Sequence, residues 1–267
     1  MVPRQERRQR PVIVTTNYRD AIRIRAVQRQ DLGKMLRIFS EAIPSAQLSR
    51  SIYLAPGVEA FLARLLEHPG LHSHEQLWGA ELEDGSLVAA AHTRLIGDYH
   101  HLNNYAVLPA FQGRGIGAQM MAHWHELARS QRVRRLSLDV AEDNAGARRH
   151  YAAFGFSDRA KSHEYRLEGS LDLADAAGVQ LQDWPLAMAS FQAYGFGRFA
   201  LALGMERCSV DLRAEGFRLA SFDPRLLAAL RAIDPARQIV VRGDGPPPND
   251  GRWAHTGTVL RLEKELT

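Results

Sequence analysis

Cysteine, lysine and long apolar runs are scarce in this 267-residue sequence. Cys208 is the only cysteine, which excludes an intrachain disulfide and a zinc site built from several cysteines. No metal site is expected from histidines either, because His123 and His125 are two residues apart and so lie on different faces of a helix. The longest apolar run, 199–205, has seven residues, whereas a helix that spans a bilayer needs about 20. No apolar stretch follows the charged residues 1–10, so we expect no secretory signal peptide, no membrane partner and a cytoplasmic protein.

Positive charge is present, but its distribution argues against nucleic acid as a partner. The net charge is +4, and residues 1–10 contain four arginines and one glutamate, so most of the excess lies in a segment, 1–20, that we expect to be a disordered basic tail. Only three of the 34 basic residues are lysines, a bias typical of a GC-rich, bacterial genome. No basic stripe with interleaved aromatic residues occurs elsewhere. Salt-dependent binding of nucleic acid through the tail is the alternative.

Hydrophobic periodicity divides the chain into two units, in keeping with its length. Over 21–170 it predicts the order β-α-α-β-β-β-α-β-α-β, with a hairpin that turns at Asp84-Gly85. The expected strands are 21–27, the two arms of that hairpin, 102–107, 134–140 and 163–168, and the expected helices follow Asp31, begin at Val58, begin at Ile116 and cover 144–153.

The pattern changes after about residue 170, and we expect a smaller C-terminal α+β accessory domain over 171–267. A helix is predicted over 184–204, although Gly195 and Gly197 interrupt its pattern. The other expected elements are a hairpin that turns at 215–216, a helix over 223–233 and two strands at 238–245 and 257–266.

A glycine-rich run, QGRGIGA over 112–118, lies between a predicted strand and a predicted helix. Glycines leave backbone N–H groups unshielded, and the first turn of the helix adds free amides and the positive end of the helix dipole. Such a turn suits a pyrophosphate, with Arg114 as a further charge at its rim. A dinucleotide-binding fingerprint fits less well, because Pro109 ends the strand four residues before Gly113 and the preceding strands form a hairpin. A helix start that needs glycines only for packing is another alternative.

A second group of residues lies on one face of a later helix. Asn144, Ala147, Arg148 and Tyr151 are spaced i, i+3, i+4 and i+7, which places an amide and a phenol where a ligand in the glycine turn would reach. The runs NNYAVLPAFQGRGIG and N-x-x-A-x-x-x-Y-x-x-x-G-F complete the pattern. On these motifs the chain from about 22 to 168 resembles the GNAT superfamily of acyl-CoA-dependent N-acyltransferases.

The resemblance implies an α/β (α+β) fold with a mixed, mostly antiparallel central sheet flanked by helices. It implies an N-acetyltransferase that moves the acetyl group of acetyl-CoA to a primary amine by direct attack in a ternary complex. The glycine turn would hold the CoA pyrophosphate, the backbone at 105–107 would pair with the pantetheine arm, and Tyr151 would act as catalytic proton donor near the thioester sulfur. The implied coenzyme-binding residues are Tyr105, Ala106, Val107, Gln112, Gly113, Arg114, Gly115, Ile116, Gly117, Ala118, Asn144, Ala147 and Arg148. Tyr151 also fits a core residue, and Asn144 fits a helix N-cap.

The acceptor side is less defined by the sequence. The resemblance implies that the acceptor is a small-molecule amine or a peptide N-terminus. The candidate bases that would take its proton, directly or through water, are Glu41, His92, Asp98, His100 and His101. The candidate substrate-binding residues are Glu41, His101, Asn103 and Asn104. The two asparagines equally fit polar groups at a strand end.

The role of the C-terminal unit is open. It has no second Q-x-x-G-x-G run, so we predict that residues 171–267 do not bind CoA. The unit would shape the acceptor site, form a homodimer interface, or be a degenerate partial GNAT unit. A CoA-binding regulatory module without turnover is the main alternative function for the chain, and a dinucleotide-dependent oxidoreductase is a further one.

Overall fold

A computed structural model describes residues 22–68, 70–171 and 176–266. The predicted basic tail lies outside these residues. The elements of the first unit follow the predicted order, with one short additional helix, and two of its strands begin earlier than predicted. They are β1 Ile22–Ala26, α1 Leu32–Ala42, the added α2 Ser45–Leu48, α3 Val58–Glu67, β2 Glu75–Leu82, β3 Leu87–Ile96, β4 Tyr99–Val107, α4 Ile116–Ser130, β5 Arg135–Ala141, α5 Ala145–Ala153 and β6 Ser157–Leu167. In the second unit they are β7 Val179–Gln182, α6 Trp184–Tyr194, β8 Phe196–Leu203, β9 Glu206–Arg213, β10 Gly216–Leu219, α7 Pro224–Ile233, β11 Gln238–Gly243 and β12 Trp253–Glu265.

The predicted helix over 184–204 is wrong, because its second half is a strand. α6 ends at Tyr194, and Gly195 follows with a φ of 81°, a left-handed conformation that ends helices and that glycine adopts without strain. Gly197 then lets β8 run close to α6, since a Cβ at this position would lie 2.3 Å from the carbonyl oxygen of Ala187. The two glycines therefore mark a sharp reversal of the chain rather than weak points of one long helix.

The strands of the described residues form one sheet, in the order β1-β2-β3-β4-β5-β12-β6-β11-β10-β9-β8-β7. Neighbouring strands are antiparallel except in the pairs β4–β5 and β10–β11, which are parallel. The predicted mixed, mostly antiparallel sheet flanked by helices is thus confirmed. Read inward from its two edges, the sheet has the same strand sequence in both units, β1 to β5 from one edge and β7 to β11 from the other.

The two units exchange strands at the centre of this sheet. β12 lies between β5 and β6, and β6 lies between β12 and β11. Each unit therefore completes the sheet of the other. The division into domains at 170/171 stays a prediction, and a cut at that point would separate β12 from both of its neighbours.

Three apolar cores hold the helices against the sheet. α4 and α5 form the first core with β2–β5 and β12, around Trp124. α1 and α3 form the second core with β2–β4, around Phe39. These two cores lie on opposite faces of β4, because Ala106 belongs to the second while its neighbours Tyr105 and Val107 pack against the first. α6 and α7 form the third core with β8–β11. None of the helices in the described residues has the length and apolar character needed to cross a membrane.

The central strands have one charged face. Leu260 and Leu262 of β12 belong to the first core, so Arg261 between them points to the opposite face. Arg261 lies opposite Asp139 of β5 and Ala160 of β6. The same alternation continues through β11, β10 and β9, and this face lines the cavity described next.

Candidate active site

A cleft opens where β4 and β5 separate. The two strands pair only from Tyr99 opposite Arg135 to Leu102 opposite Leu138, whereas β4 continues to Val107. The pairing of β4 with β3 shifts register after Leu102, which leaves Asn103 as a bulged residue. A bulge bends the strand and increases its local twist. The split between the strands therefore begins at the bulge.

A cavity of about 1390 Å³ fills this cleft and extends along the charged face of the central strands. It brings together most of the residues predicted from the sequence. Those that line it are His101, Asn103, Asn104, Tyr105, Ala106, Val107, Gln112, Gly113, Gly115, Gly117, Ala118, Asn144, Ala147 and Tyr151. Four others, Glu41, Arg114, Ile116 and Arg148, do not line it.

The glycine turn leaves room for an anion at the start of α4. Gly113 and Gly115 have φ values of 74° and 80°, and a Cβ at either position would meet no atom within 4 Å. α4 begins at Ile116, so the N–H groups of 116–118 have no partner within the helix. Ile116 itself is buried and anchors this turn in the first core. Open glycines beside free helical amides fit a pyrophosphate.

The third glycine of the run has a different role. A Cβ on Gly117 would lie 2.6 Å from the hydroxyl oxygen of Tyr105. The Tyr105 ring stacks on His150 of α5, with ring centres 6.0 Å apart and planes 13° apart. Gly117 therefore makes space for an aromatic pair that joins β4, α4 and α5 beneath the cleft. Burial raises the pKa of Tyr105 well above its usual value, so this phenol is neutral.

Two backbone groups of β4 that face the cleft are held by side chains. The Tyr105 N–H donates to Asn104 Oδ1 at 3.1 Å, and the Val107 carbonyl accepts from Gln112 Nε2 at 3.0 Å. Both partners are side-chain amides of residues that line the cavity. A ligand that adds to this edge like a strand would take their place, which is the pairing expected for a pantetheine arm.

Asn144 caps α5 and also reaches across the cleft. Its Oδ1 accepts from the Ala147 N–H at 3.0 Å, which is the N-cap interaction, and its Nδ2 donates to Gln47 Oε1 of α2 at 3.3 Å. Arg148 lies on the outside of α5, where its guanidinium donates to the Glu142 carbonyl at 3.3 Å. The Arg114 guanidinium lies 5.3 Å from the centre of the Phe111 ring, beside the turn.

Tyr151 lies at the inner wall of the cavity and is 9% exposed. Its ring packs edge-on against His150 and Phe156, with ring centres 5.7 and 6.0 Å away. Burial raises the pKa of its hydroxyl well above the usual value. Tyr151 is therefore a protonated phenol at neutral pH, and it can donate a proton but is a poor base.

Only one of the five candidate bases lines the cavity, and it is His101. His101 Nδ1 lies 2.9 Å from Ser137 Oγ, and burial lowers the pKa of His101 to about 4, so the imidazole is neutral at pH 7. The side chain of His100 points to the opposite face of β4, into the first core, where its Nδ1 accepts a hydrogen bond from Trp124 Nε1.

The remaining candidates are held in contacts away from the cavity. His92 is buried between Tyr53 and Glu75, 2.8 and 2.6 Å from their oxygens. Glu41 forms a salt bridge with Arg37, and both lie on α1. Asp98, in the β3–β4 turn, forms a salt bridge with Arg135 of β5. Among the described residues, no group of three or more histidine, cysteine, aspartate or glutamate side chains is arranged to hold a metal ion.

Sequence reasoning missed the charged part of the cavity. Arg242 of β11 and Arg261 of β12 both donate to Asp139 of β5, so residues from the two units meet on one carboxylate. Burial alone would raise the pKa of Asp139, but the two guanidinium groups keep it below its usual value. The alternation of apolar and polar residues along β12 indicates that Arg261 lies on a polar face. The sequence does not identify Asp139 as its partner, because the two meet only when β12 pairs with a strand of the first unit.

Comparisons with known proteins point to one family. Residues 39–156 match the sequence profile of the acetyltransferase (GNAT) family. No curated protein matches the chain.

Solved structures with the same fold cover nearly the whole chain. A Pyrococcus horikoshii protein, provisionally described as an acetyltransferase, has 17% sequence identity and a TM-score of 0.60 and covers 94% of this chain and 91% of its own. A tandem GNAT protein from the clavulanic acid biosynthesis pathway has 13% identity and a TM-score of 0.61, with coverage of 91% and 98%. At these identities the similarity shows the fold alone.

Proposed function

Residues 39–156 of this chain belong to the acetyltransferase (GNAT) family, and on that basis we propose that the protein is an N-acetyltransferase that transfers the acetyl group of acetyl-CoA to a primary amine by direct attack in a ternary complex. The observation that carries the proposal is the continuous path from the open glycine turn, along the free edge of β4, to the phenol of Tyr151. Acetyl-CoA supplies an activated acyl thioester, and the remaining chemistry is proton transfer and charge stabilisation.

The residues along this path have distinct tasks. The amides at 113–118 and the start of α4 hold the pyrophosphate, and the N–H groups of β4 near Val107 stabilise the oxyanion that forms when the amine attacks. The new C–N bond replaces the C–S bond, and Tyr151 gives its proton to the departing thiolate. His101 is neutral in the cavity wall and can accept the proton that the amine loses, directly or through water, but it is a weak base because burial lowers its pKa to about 4.

The C-terminal unit fits a degenerate GNAT unit that cannot bind the coenzyme and instead encloses the acceptor. Its strand order and its parallel pair β10–β11 correspond to β1–β5 and the pair β4–β5 of the first unit. However, only residues 220–223 separate β10 from α7, whereas the longer segment 108–115 separates β4 from α4. Asp223 caps α7 by accepting from the Arg225 N–H, and Pro224 removes one amide. A carboxylate already occupies this helix start and would repel a phosphate.

The test is to add a charged side chain at the glycine turn and measure binding and turnover. We expect Gly115→Glu to abolish CoA binding, because glutamate would fill the turn and repel the pyrophosphate. Gly85→Glu is a matched control: Gly85 has a φ of 82° and open space around its Cβ position, but it lies in the β2–β3 hairpin. This control isolates the backbone strain that glutamate creates at a positive φ.

Calorimetry would measure CoA affinity and stoichiometry, and thiol release with acetyl-CoA and a panel of amines would measure turnover. We expect one CoA per chain, bound by the wild type and by Gly85→Glu. Unchanged affinity in Gly115→Glu, or two bound CoA molecules, would refute the placement of the site. Tight CoA binding without thiol release for any amine would favour a regulatory module.

A further inference from the structure

The part of the cavity that lies away from the glycine turn carries an excess of positive charge. Seven arginines and five carboxylates line the cavity as a whole. All of these charged residues lie outside the glycine turn and the free edge of β4, and most lie on β6 and β8–β12. The catalytic steps proposed above use none of these arginines.

The carboxylates in this region are shared rather than paired one to one. Asp139 accepts from both Arg242 and Arg261. Glu164 lies 3.2 Å from Arg50 Nε and 3.3 Å from Arg218 Nη1. A third carboxylate in the cavity is shared by two arginines in the same way. In all, six guanidinium groups therefore share three carboxylates.

That third carboxylate is Asp211, which lies 2.7 Å from Arg198 and 4.0 Å from Arg213. Of the six arginines in these groups, Arg213 has the positive charge that is least well balanced by a carboxylate. Its side chain is 14% exposed, Asp211 is its nearest carboxylate among the described residues, and its Nε has no hydrogen-bond partner there. Burial lowers the pKa of Arg213; Asp211 opposes this shift, and the positive charge of Arg218 adds to it.

Arg218 is in a similar position on the neighbouring strand. Its Nε is also buried without a hydrogen-bond partner in the part of the chain that the structure describes. Arg218 lies opposite Asp211 in the register of β10 and β9, so Arg213 and Arg218 are on the same face of the sheet. Desolvated guanidinium groups with incomplete partners attract an oxyanion strongly, and their fork geometry suits a carboxylate or phosphate.

We propose that Arg213 and Arg218 bind an oxyanionic group, a carboxylate or a phosphate, at the far end of an extended acceptor amine. This inference rests on the proposed function, because the other end of the acceptor must place its nitrogen at the thioester. β12, β6 and β11 lie between β5 and β10. These four inter-strand steps, at about 4.8 Å each, amount to roughly 19 Å along the sheet. A free amino acid is too short for this path, whereas an extended peptide of about five residues, at roughly 3.4 Å each, has a suitable length.

The first test uses the wild-type protein and alanine peptides of one, three and five residues, each with a free or an amidated C-terminus. Thiol release from acetyl-CoA gives KM and kcat for each peptide. We expect the five-residue peptide with a free C-terminus to have a KM about 10- to 100-fold lower than its amide, the range for a charged hydrogen-bonded contact. We expect no such difference for alanine itself. Equal KM values for free and amidated peptides of all lengths would overturn the proposal.

The second test uses variants. Arg213→Gln and Arg218→Gln should raise the KM of the free five-residue peptide towards that of the amide and leave CoA affinity unchanged. Arg166→Gln is the control, because Arg166 lies on β6 and pairs with Glu168 outside the cavity. Inorganic phosphate should compete with the free peptide in the wild type and lose this effect in Arg213→Gln. Competition against acetyl-CoA instead would show that the anion belongs to the coenzyme and would overturn the proposal.

Failure of this inference can be distinguished from failure of the proposed function. If CoA binds but neither these peptides nor any amine of the panel is acetylated, the proposed function fails, and calorimetry of the CoA-saturated protein then decides about the anion site alone. Tighter binding of the free peptide than of its amide, lost in Arg213→Gln, would support the site. Equal binding of both peptides would overturn it. Comparison of the two peptides on the wild type needs no variant, so the test stands even if a substitution impairs folding.

Discussion

A single hydroxyl group distinguishes the catalytic role of Tyr151 from a packing role. The ring lies against His150 and Phe156 and would keep these contacts in Tyr151→Phe. Because burial keeps the phenol protonated, we expect it to act as a proton donor. The departing thiol, like that of cysteine, has a pKa of roughly 8.5, so the leaving group needs only moderate help. We expect kcat to fall roughly 10- to 100-fold, at or below the low end of the range for general acid catalysis.

Thiol release and CoA calorimetry, measured on the same preparation, decide between the two roles of Tyr151. CoA affinity should stay within about twofold of the wild type if the hydroxyl acts only on the chemical step. Tyr165→Phe is a suitable control, since Tyr165 is a partly buried phenol on β6 that does not line the cavity. An equal loss of affinity and turnover in Tyr151→Phe would mean that Tyr151 only supports the packing of the site.

His100 makes stability depend on pH. It is buried in the first core, and burial lowers its pKa to about 4. The unfolded chain binds this proton near pH 6.5. The stability that the neutral form contributes is therefore fully present above pH 6.5 and is lost as the pH falls from 6.5 towards 4. Burial also lowers the pKa values of His101 and His125 to about 4, so they add to the same trend.

We expect the free energy of unfolding to fall between pH 6.5 and pH 4, by up to about 1.4 kcal/mol per pH unit for each such histidine. Urea unfolding at a series of pH values would measure this slope. His100→Asn removes the titrating group and keeps an oxygen that can accept from Trp124 Nε1. The pH slope of the unfolding free energy of this variant should therefore correspond to about one fewer proton taken up on unfolding. The same slope in His100→Asn as in the wild type would contradict this account.

At the scale of single elements, the sequence predicts what neighbouring residues determine. The β2–β3 hairpin at Asp84-Gly85, the glycine turn before α4 and the cap at Asn144 each depend on a few adjacent residues, and the structure has all three. The helix over 184–204 failed where one glycine, Gly195, ends α6 and starts a strand. The conformational preferences of the residues in this segment did not indicate that it forms a strand paired with β9.

The adjacent residues His100 and His101 show why the site could be predicted only in part. A strand sends successive side chains to opposite faces, so at most one of them enters the cavity. The sequence does not show which one, because the answer depends on how β4 pairs with β3 and on the bulge at Asn103. The contact between Arg242 and Asp139 is even harder to predict from the sequence. These two charged residues come together only through the order of the strands in the sheet.

At the scale of the whole molecule, the exchange of β6 and β12 makes the two units dependent on each other. β12 pairs with β5 over seven residues, from Val259–Ala141 to Glu265–Arg135, and along its other edge it pairs with β6. Leu260 and Leu262 also complete the first core. A fragment that ends at residue 170 would expose the paired edges of β5 and β6 and leave a gap in that core. Unpaired strand edges of this kind favour aggregation.

We therefore expect residues 22–170 alone to aggregate or to unfold without a cooperative transition. A fragment in which β12 is restored should fold, and the register suggests how to build it: Leu167 at the end of β6 lies opposite Trp253 at the start of β12, so a two-residue Asn-Gly turn can join them. Residues 22–167, this turn and residues 253–266 should unfold cooperatively and bind one CoA, since the glycine turn and α5 are both retained. Circular dichroism during thermal unfolding, together with CoA calorimetry, compares the two fragments. Cooperative folding and CoA binding by 22–170 alone would show that the first unit is independent and that the exchanged strand is dispensable to it.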